Sequence, residues 1–191
     1  MIRSMTTTTV PVPTGSLRTF LSSGALASAL VFGNLAVEAA EEEADKKEAA
    51  WIEDVTKAKA PDTPAKGKIK GTDFTVEKAT LQGGGILVLR QGKEFFADLE
   101  LMIFTFEHDE EKLPGKTFKF DAAPVGASPH IHMKWRENGK NIPSSKVFMS
   151  KYSLTLEFGK PTKKGLPGTI YLCLPDEEKS FVAGTFVATS K

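Results

Sequence analysis

The chain has 191 residues, 40% of them hydrophobic and 26% charged, a length and balance that fit one globular domain and exclude disorder throughout. Its 25 lysines and arginines against 24 acids leave a net charge of +1, which argues against nucleic acid as a partner. A single cysteine, Cys173, excludes an intramolecular disulfide and any zinc site built from cysteines.

Residues 1–18 are polar and carry Arg3 and Arg18 but no acid, and Thr19 to Val37 is a run of small and apolar residues. Val37 and Ala39 then sit at the −3 and −1 positions of a cut after Ala39. This is the three-part pattern of a secretory signal peptide. Ser22, Ser23, Gly24 and Asn34 make the run weak for a spanning helix, which wants about 20 predominantly apolar residues. The sequence therefore predicts a leader over 1–39, a secreted or periplasmic destination, and no stable membrane insertion after cleavage. Cleavage removes two of the 25 bases and one of the 24 acids, leaving 23 of each sign and a neutral mature protein.

Residues 40–65 form a spacer rich in Glu, Ala and Lys, expected to be partly helical or disordered. Trp51, Ile52 and Val55 are spaced to share one face of a short helix, and Trp51 is the residue there hardest to leave in water. Pro61 and Pro64 end any helix and push the residues before them toward extended backbone.

From residue 66 to 191 the pattern changes to short runs separated by Gly, Pro or charged breaks, with no sustained helical period. Lys68 to Val76, Ala79 to Leu81 and Ile86 to Arg90 come first, the last two joined by Gly83-Gly84-Gly85. No P-loop lysine or helix follows those glycines, so they read as a tight turn rather than a phosphate cradle. Phe95 to Phe106 alternates Leu99, Leu101 and Ile103 with polar residues, the mark of a half-buried antiparallel strand. The acidic turn Glu107 to Glu111, a run at Thr117 to Asp121, and the alternating Tyr152 to Phe158 follow.

The C-terminal run Gly165 to Ser190 reads as a hairpin whose two strands carry bulky groups on both faces, which places it centrally in a sheet. The fragments Gly67 to Phe74 and, near the end, Leu166 to Ile170 with Gly184 to Phe186 look alike either by chance or because first and last strands pair in one sheet, and they support no true repeat array. The predicted fold is all-β: an antiparallel β-sandwich of about nine strands, jelly-roll or Ig-like.

One constellation could carry chemistry. In Pro129-His130-Ile131-His132-Met133-Lys134-Trp135-Arg136, strand alternation puts Ile131, Met133 and Trp135 on the core face and His130, His132, Lys134 and Arg136 opposite. Imidazoles at i and i+2 on a strand can face one copper or zinc ion, with His108, Asp109 or Glu110 supplying further ligands. Against this, Lys134 and Arg136 raise the cost of a dication, and the simpler expectation has them lean on the acidic turn.

Cys173 reads as a small core residue. Asp176 with Glu177 or Glu178 offers a carboxylate pair for glycoside cleavage, which needs two groups about 5 to 9 Å apart, or simply a charged turn. Trp135 and Tyr171 are candidate stacking platforms for a sugar, and the amide-rich loop Glu137 to Pro143 a place for a partner to touch. Three functional expectations follow. The first is a non-enzymatic binding module for an unknown protein or carbohydrate ligand, with no cofactor. The second is a small copper- or zinc-binding protein using His130, His132 and His108. The third is a carboxylate-dependent hydrolase.

Overall fold

Eleven strands form among the described residues, β1 (Lys66–Ile69), β2 (Thr72–Thr75), β3 (Lys78–Gln82), β4 (Ile86–Gln91), β5 (Leu99–Phe104) and β6 (Thr117–Phe120), then β7 (His130–Trp135), β8 (Ser144–Phe148), β9 (Ser153–Phe158), β10 (Leu166–Cys173) and β11 (Phe181–Ser190). The structure is a computed structural model that describes residues 49–126 and 129–190. The leader expected over 1–39 and the start of the spacer lie outside the described residues. Among those residues no helix is long and apolar enough to cross a membrane.

Among the described residues the structure is nearly all strand with almost no helix, and the strands belong to one curled, mixed half-barrel sheet in the order β6-β9-β10-β11-β3-β4-β5-β7-β8, with β1 paired to β11 and β2 to β1. The expected count of nine rises to eleven for two reasons. Lys70 and Gly71 take positive φ (51° and 74°) and fold the run Lys68 to Val76 into a hairpin, and β8 carries no alternation that announces it. The sheet is also not wholly antiparallel. The chain does not reverse between β2 and β3, so β3 keeps the direction of β2 and runs parallel to β11, with Ala79 beside Ala188.

The C-terminal hairpin is central, flanked by β9 and by β1 and β3, and the first and last strands pair, as one reading of the similar fragments had it, Gly67 beside Val182. One face of every strand feeds a single apolar cluster that includes Leu87, Leu101, Ile131, Leu154, Leu172 and Val182, all fully buried. Burying one such side chain contributes about 1.5–3 kcal/mol, so this inner face holds the curl together. The triple glycine is structural. Gly84 and Gly85 have φ of 83° and 69°, and a Cβ on Gly85 would lie 2.5 Å from the Glu107 carbonyl oxygen and the Thr105 hydroxyl. The Gly85 carbonyl accepts the Thr105 hydroxyl at 2.7 Å, tying this turn to the end of β5.

The outer face of the sheet is treated in two ways. Over β9, β10 and β11 it is covered by a strap formed by residues 49–60. Val55 is fully buried against Tyr171, Cys173 and Ala183, with Trp51 and Ile52 packed beside it. Only Val55–Lys57 is helical, a single turn capped by Asp54, whose carboxylate accepts the Thr56 amide at 2.9 Å. Otherwise the strap is held by hydrogen bonds to the sheet and to the loop after β10. The Tyr171 hydroxyl donates to the Ala50 carbonyl at 2.8 Å, the Trp51 indole to the Leu174 carbonyl at 2.9 Å, and the Ser153 hydroxyl to the Glu53 carbonyl. After it, the proline-rich stretch runs extended beside β11, the Thr63 carbonyl accepting the Thr185 amide at 2.7 Å. Over β4, β5, β7 and β8 no such strap lies on the sheet among the described residues.

Candidate binding face

The half of the outer face that the strap does not reach is built from three rows of cross-strand neighbours, of which Val88 is itself buried. Ile86, Phe104 and His130 form the first, Val88, Met102, His132 and Val147 the second, and Arg90, Glu100, Lys134 and Ser145 the third. Because side chains alternate along each strand, the residues that place Leu87, Leu101 and Met133 inside must place these outside. Two rows are apolar or aromatic and one is charged.

The alternation expected for β7 holds at its middle: Ile131 and Met133 are fully buried, and His130 and His132 share the opposite face. Each imidazole packs on a phenyl ring. His132 lies 4.3 Å from the Phe104 ring centroid, and His130 lies 4.8 Å from that of Phe106, edge to face. Phe106 is 47% exposed and has a φ of 55°, a left-handed conformation that is rare for a bulky residue. His108 is exposed on the loop after β5, at the end of the sheet where β7 begins, and its Nδ1 faces the turn at Gly84. Asp109 accepts the Glu111 amide at 3.1 Å and pairs with Lys112 at 3.4 Å, while the side chain of Glu110 lies outside the described set. Among the described residues no three His, Cys, Asp or Glu side chains are grouped to hold a metal ion.

The basic residues Lys134 and Arg136 do not reach the acidic turn. The Lys134 ammonium lies 2.9 Å from Glu100 on β5, and Arg136 faces Asp98 at 3.9 Å, because register pairs β7 with β5 rather than with the loop beyond it. The acidic turn has its own base, since Glu107 pairs with Lys116, whose ammonium holds that carboxyl below the usual range. Trp135 is only half-buried at the strand end, its indole donating to Glu137 at 3.1 Å. Tyr171 is buried under the strap and presents no platform.

The aromatic groups that do face water were not singled out in the sequence. Phe95 is 89% exposed and stands edge to face with Phe96, their centroids 4.9 Å apart. The expected strand Phe95 to Phe106 in fact begins at Leu99, and the residues before it form a clamped loop. Arg90 donates to the Glu94 carbonyl at 2.6 Å and Arg136 to the Phe96 carbonyl at 2.9 Å, while the Asp98 amide returns to the Gln91 carbonyl at 3.0 Å. Across from it, the loop after β7 presents Ile142, 71% exposed, with Pro143. That loop is pinned by Glu137, which pairs with Lys140 at 2.5 Å; the ammonium holds the Glu137 carboxyl down at about 2.

Between the two loops lies a cleft of about 370 Å³, walled by Phe95, Phe96, Ile142 and Pro143, with Glu100 and Lys134 as floor and Ser145 at the side. The arrangement offers apolar walls and, in the floor pair, one acceptor and one donor. The signal available in the sequence was the adjacent Phe95-Phe96 pair inside a Gly-Lys-Glu break, where no core position requires two rings.

Acid should weaken this face through His132. Burial, with lesser contributions from the Lys134 and His130 charges, holds its imidazole below the ordinary value. As the pH falls from about 7, the unfolded chain takes up that proton first, so stability is complete above the ordinary imidazole value of about 6.5 and declines below it. Thermal melts between about pH 7.5 and 5 are expected to show a steeper acid loss in the wild type than in His132→Phe; parallel curves would contradict this.

Comparison of the chain with protein-family models, with curated proteins and with solved structures finds no match.

Proposed function

We propose that the protein is a non-enzymatic binding module, exported by the leader over 1–39, that engages a protein or carbohydrate partner through the uncovered outer face. One observation carries this reading: two phenyl rings, one of them 89% exposed, are displayed on a loop held by arginine hydrogen bonds on both flanks. Leaving a phenylalanine in water forgoes about 1.5–3 kcal/mol of burial. A loop clamped in that state is preorganised for contact, and aromatic anchors in pockets dominate binding surfaces.

The neutral mature charge and the amphipathic cleft are in keeping with the same reading. Our reading of the curl remains a two-layer sandwich, jelly-roll or Ig-like, domain spanning 66–191. Its support is that β5 and β7, at one end of the strand order, meet β9 from the other end in one apolar cluster.

Arrays of glycans and of random peptides, probed with the purified protein and with a Phe95→Ser/Ile142→Ser variant, test the proposal. The wild type is expected to retain one ligand class and the variant to lose it by tenfold or more, about 1.4 kcal/mol or above. A blank array, or equal signals from both proteins, would sink the reading.

A further inference from the structure

We propose that the free edge of β8 is the docking site for an extended strand of another polypeptide, one that places an acidic side chain opposite Lys146. The proposal rests on the binding-module reading and gives its partner a chemistry. β8 is last in the strand order and, among the described residues, pairs with β7 alone, and its three central residues, Ser145, Lys146 and Val147, are exposed. The backbone groups on its outer edge are therefore available as a template, and an added strand would complete them.

What that strand must carry is set by the two faces of β8. On the outer face, Ser145 borders the cleft walled by Phe96, Ile142 and Pro143, so the incoming residue opposite Ser145 projects beside apolar walls. On the inner face, Lys146 lies in register with buried Met133 and leans its ammonium over the Phe148 ring, 5.2 Å from the centroid. Lys146 has no carboxylate partner among the described residues. An inward-pointing lysine on an edge strand is the usual guard against indiscriminate pairing.

The same lysine selects the occupant. Lys146 is the middle residue of Ser144–Phe148, so a second copy added antiparallel about the strand centre would set Lys146 against Lys146. Like charges directly opposite destabilise a strand pair, and opposite charges contribute up to about 1 kcal/mol. A purely apolar strand would cover the ammonium without compensating it. A strand with an acid in that register and apolar residues on either side satisfies the edge, the cleft and the charge together, by attraction to one partner and repulsion of the alternatives.

The test uses the full protein and two synthetic, end-capped peptides with a fluorescent label, Thr-Thr-Val-Glu-Phe-Thr-Thr and the same peptide with Lys in place of Glu. Anisotropy titrations are expected to favour the Glu peptide by roughly fivefold or more, and amide exchange to slow within β8 when it binds. Lys146→Glu should reverse the preference and Lys146→Arg should keep it. Equal affinity for the two peptides, a Glu preference that survives Lys146→Glu, protection at the opposite edge β6, or no binding of the Glu peptide at millimolar concentration would each overturn the proposal. If the peptides fail while an array signal dependent on Phe95 and Ile142 persists, the edge assignment falls and the binding module stands. A blank array alongside failed peptides removes both.

Discussion

Replacing Val55 by Asp is expected to release the strap of residues 49–60 from the sheet while the sheet stays folded. Val55 is fully buried against Tyr171, Cys173 and Ala183, none of which offers a carboxylate a cationic partner. An uncompensated buried charge costs several kcal/mol, more than one strap can hold against. The strap's hydrogen bonds give little resistance, because the Ala50, Glu53 and Leu174 carbonyls and their donors all gain water when it leaves.

The readout is chemical. Under the strap, burial pushes the Cys173 thiol up to about 11, against an ordinary value of about 8.5–9, which keeps it protonated and inert at neutral pH. The Ile52 amide also points at its sulfur, 3.4 Å away. Uncovering it should speed disulfide exchange with an aromatic disulfide reagent by about tenfold or more: two pKa units give about a hundredfold more thiolate, the less basic thiolate loses about tenfold in nucleophilicity, and access adds to the net. Trp51 loses its bond to Leu174 and its contact with the Lys179 ammonium, so its emission should shift to the red in the same variant. Val55→Ala should give a smaller rise in thiol reactivity. A thiol that stays inert after Trp51 has moved, or a loss of all structure in one step, would show that the strap is not a separable cover.

This asymmetry between the halves of the outer face was only partly legible in the sequence. Alternation fixed which residues of β5, β7, β9 and β10 go inward, and it put His130 and His132 on one side correctly, since that inference needs only period-two geometry. It missed β8 because Ser-Ser-Lys-Val-Phe places a lysine on the core side, which an edge strand tolerates and a central one does not. It ran Phe95 and Phe96 into a strand because their loop is set by arginine side chains bonding to backbone carbonyls, an interaction with no periodic trace.

Partners across the sheet were hidden for a related reason. Lys134 meets Glu100 through a register between strands about thirty residues apart, and proximity in sequence to the acidic turn pointed elsewhere. The strap is a further case. Trp51 was read as the residue hardest to leave in water, and it packs against the sheet with Ile52 and Val55; their spacing suggested a helix, but only Val55–Lys57 is helical, and the carbonyls of Ala50, Glu53 and Val55 are bound by Tyr171, Ser153 and Thr155.

Asp176→Ala is expected to lower stability by about 3–5 kcal/mol, because both oxygens of this carboxylate are engaged inside the fold. Asp176 is 7% exposed; one oxygen accepts the Ser180 amide at 2.7 Å and the other the Ser180 hydroxyl at 2.6 Å. Ser180 is fully buried, its carbonyl accepts the Leu174 amide at 2.8 Å, and its hydroxyl oxygen accepts the Lys70 amide at 2.9 Å. The carboxylate thus closes the loop between β10 and β11 and, through Ser180, anchors the β1–β2 turn; Glu178 reinforces the link by pairing with Lys70.

Alanine leaves two buried donors without an acceptor, each costing about 1–3 kcal/mol, at the hinge of the two central strands. For a domain of this size each kcal/mol moves the melting temperature by about 2–4 °C, so a drop of about 6–20 °C is expected by circular dichroism. Asp176→Asn keeps one acceptor and should lose about half as much, whereas Glu177→Ala, exposed on the same turn, should be nearly silent. If Asp176→Ala melts within about 2 °C of the wild type, the turn is held by something other than this carboxylate, and its two oxygens become free for a role outside the fold.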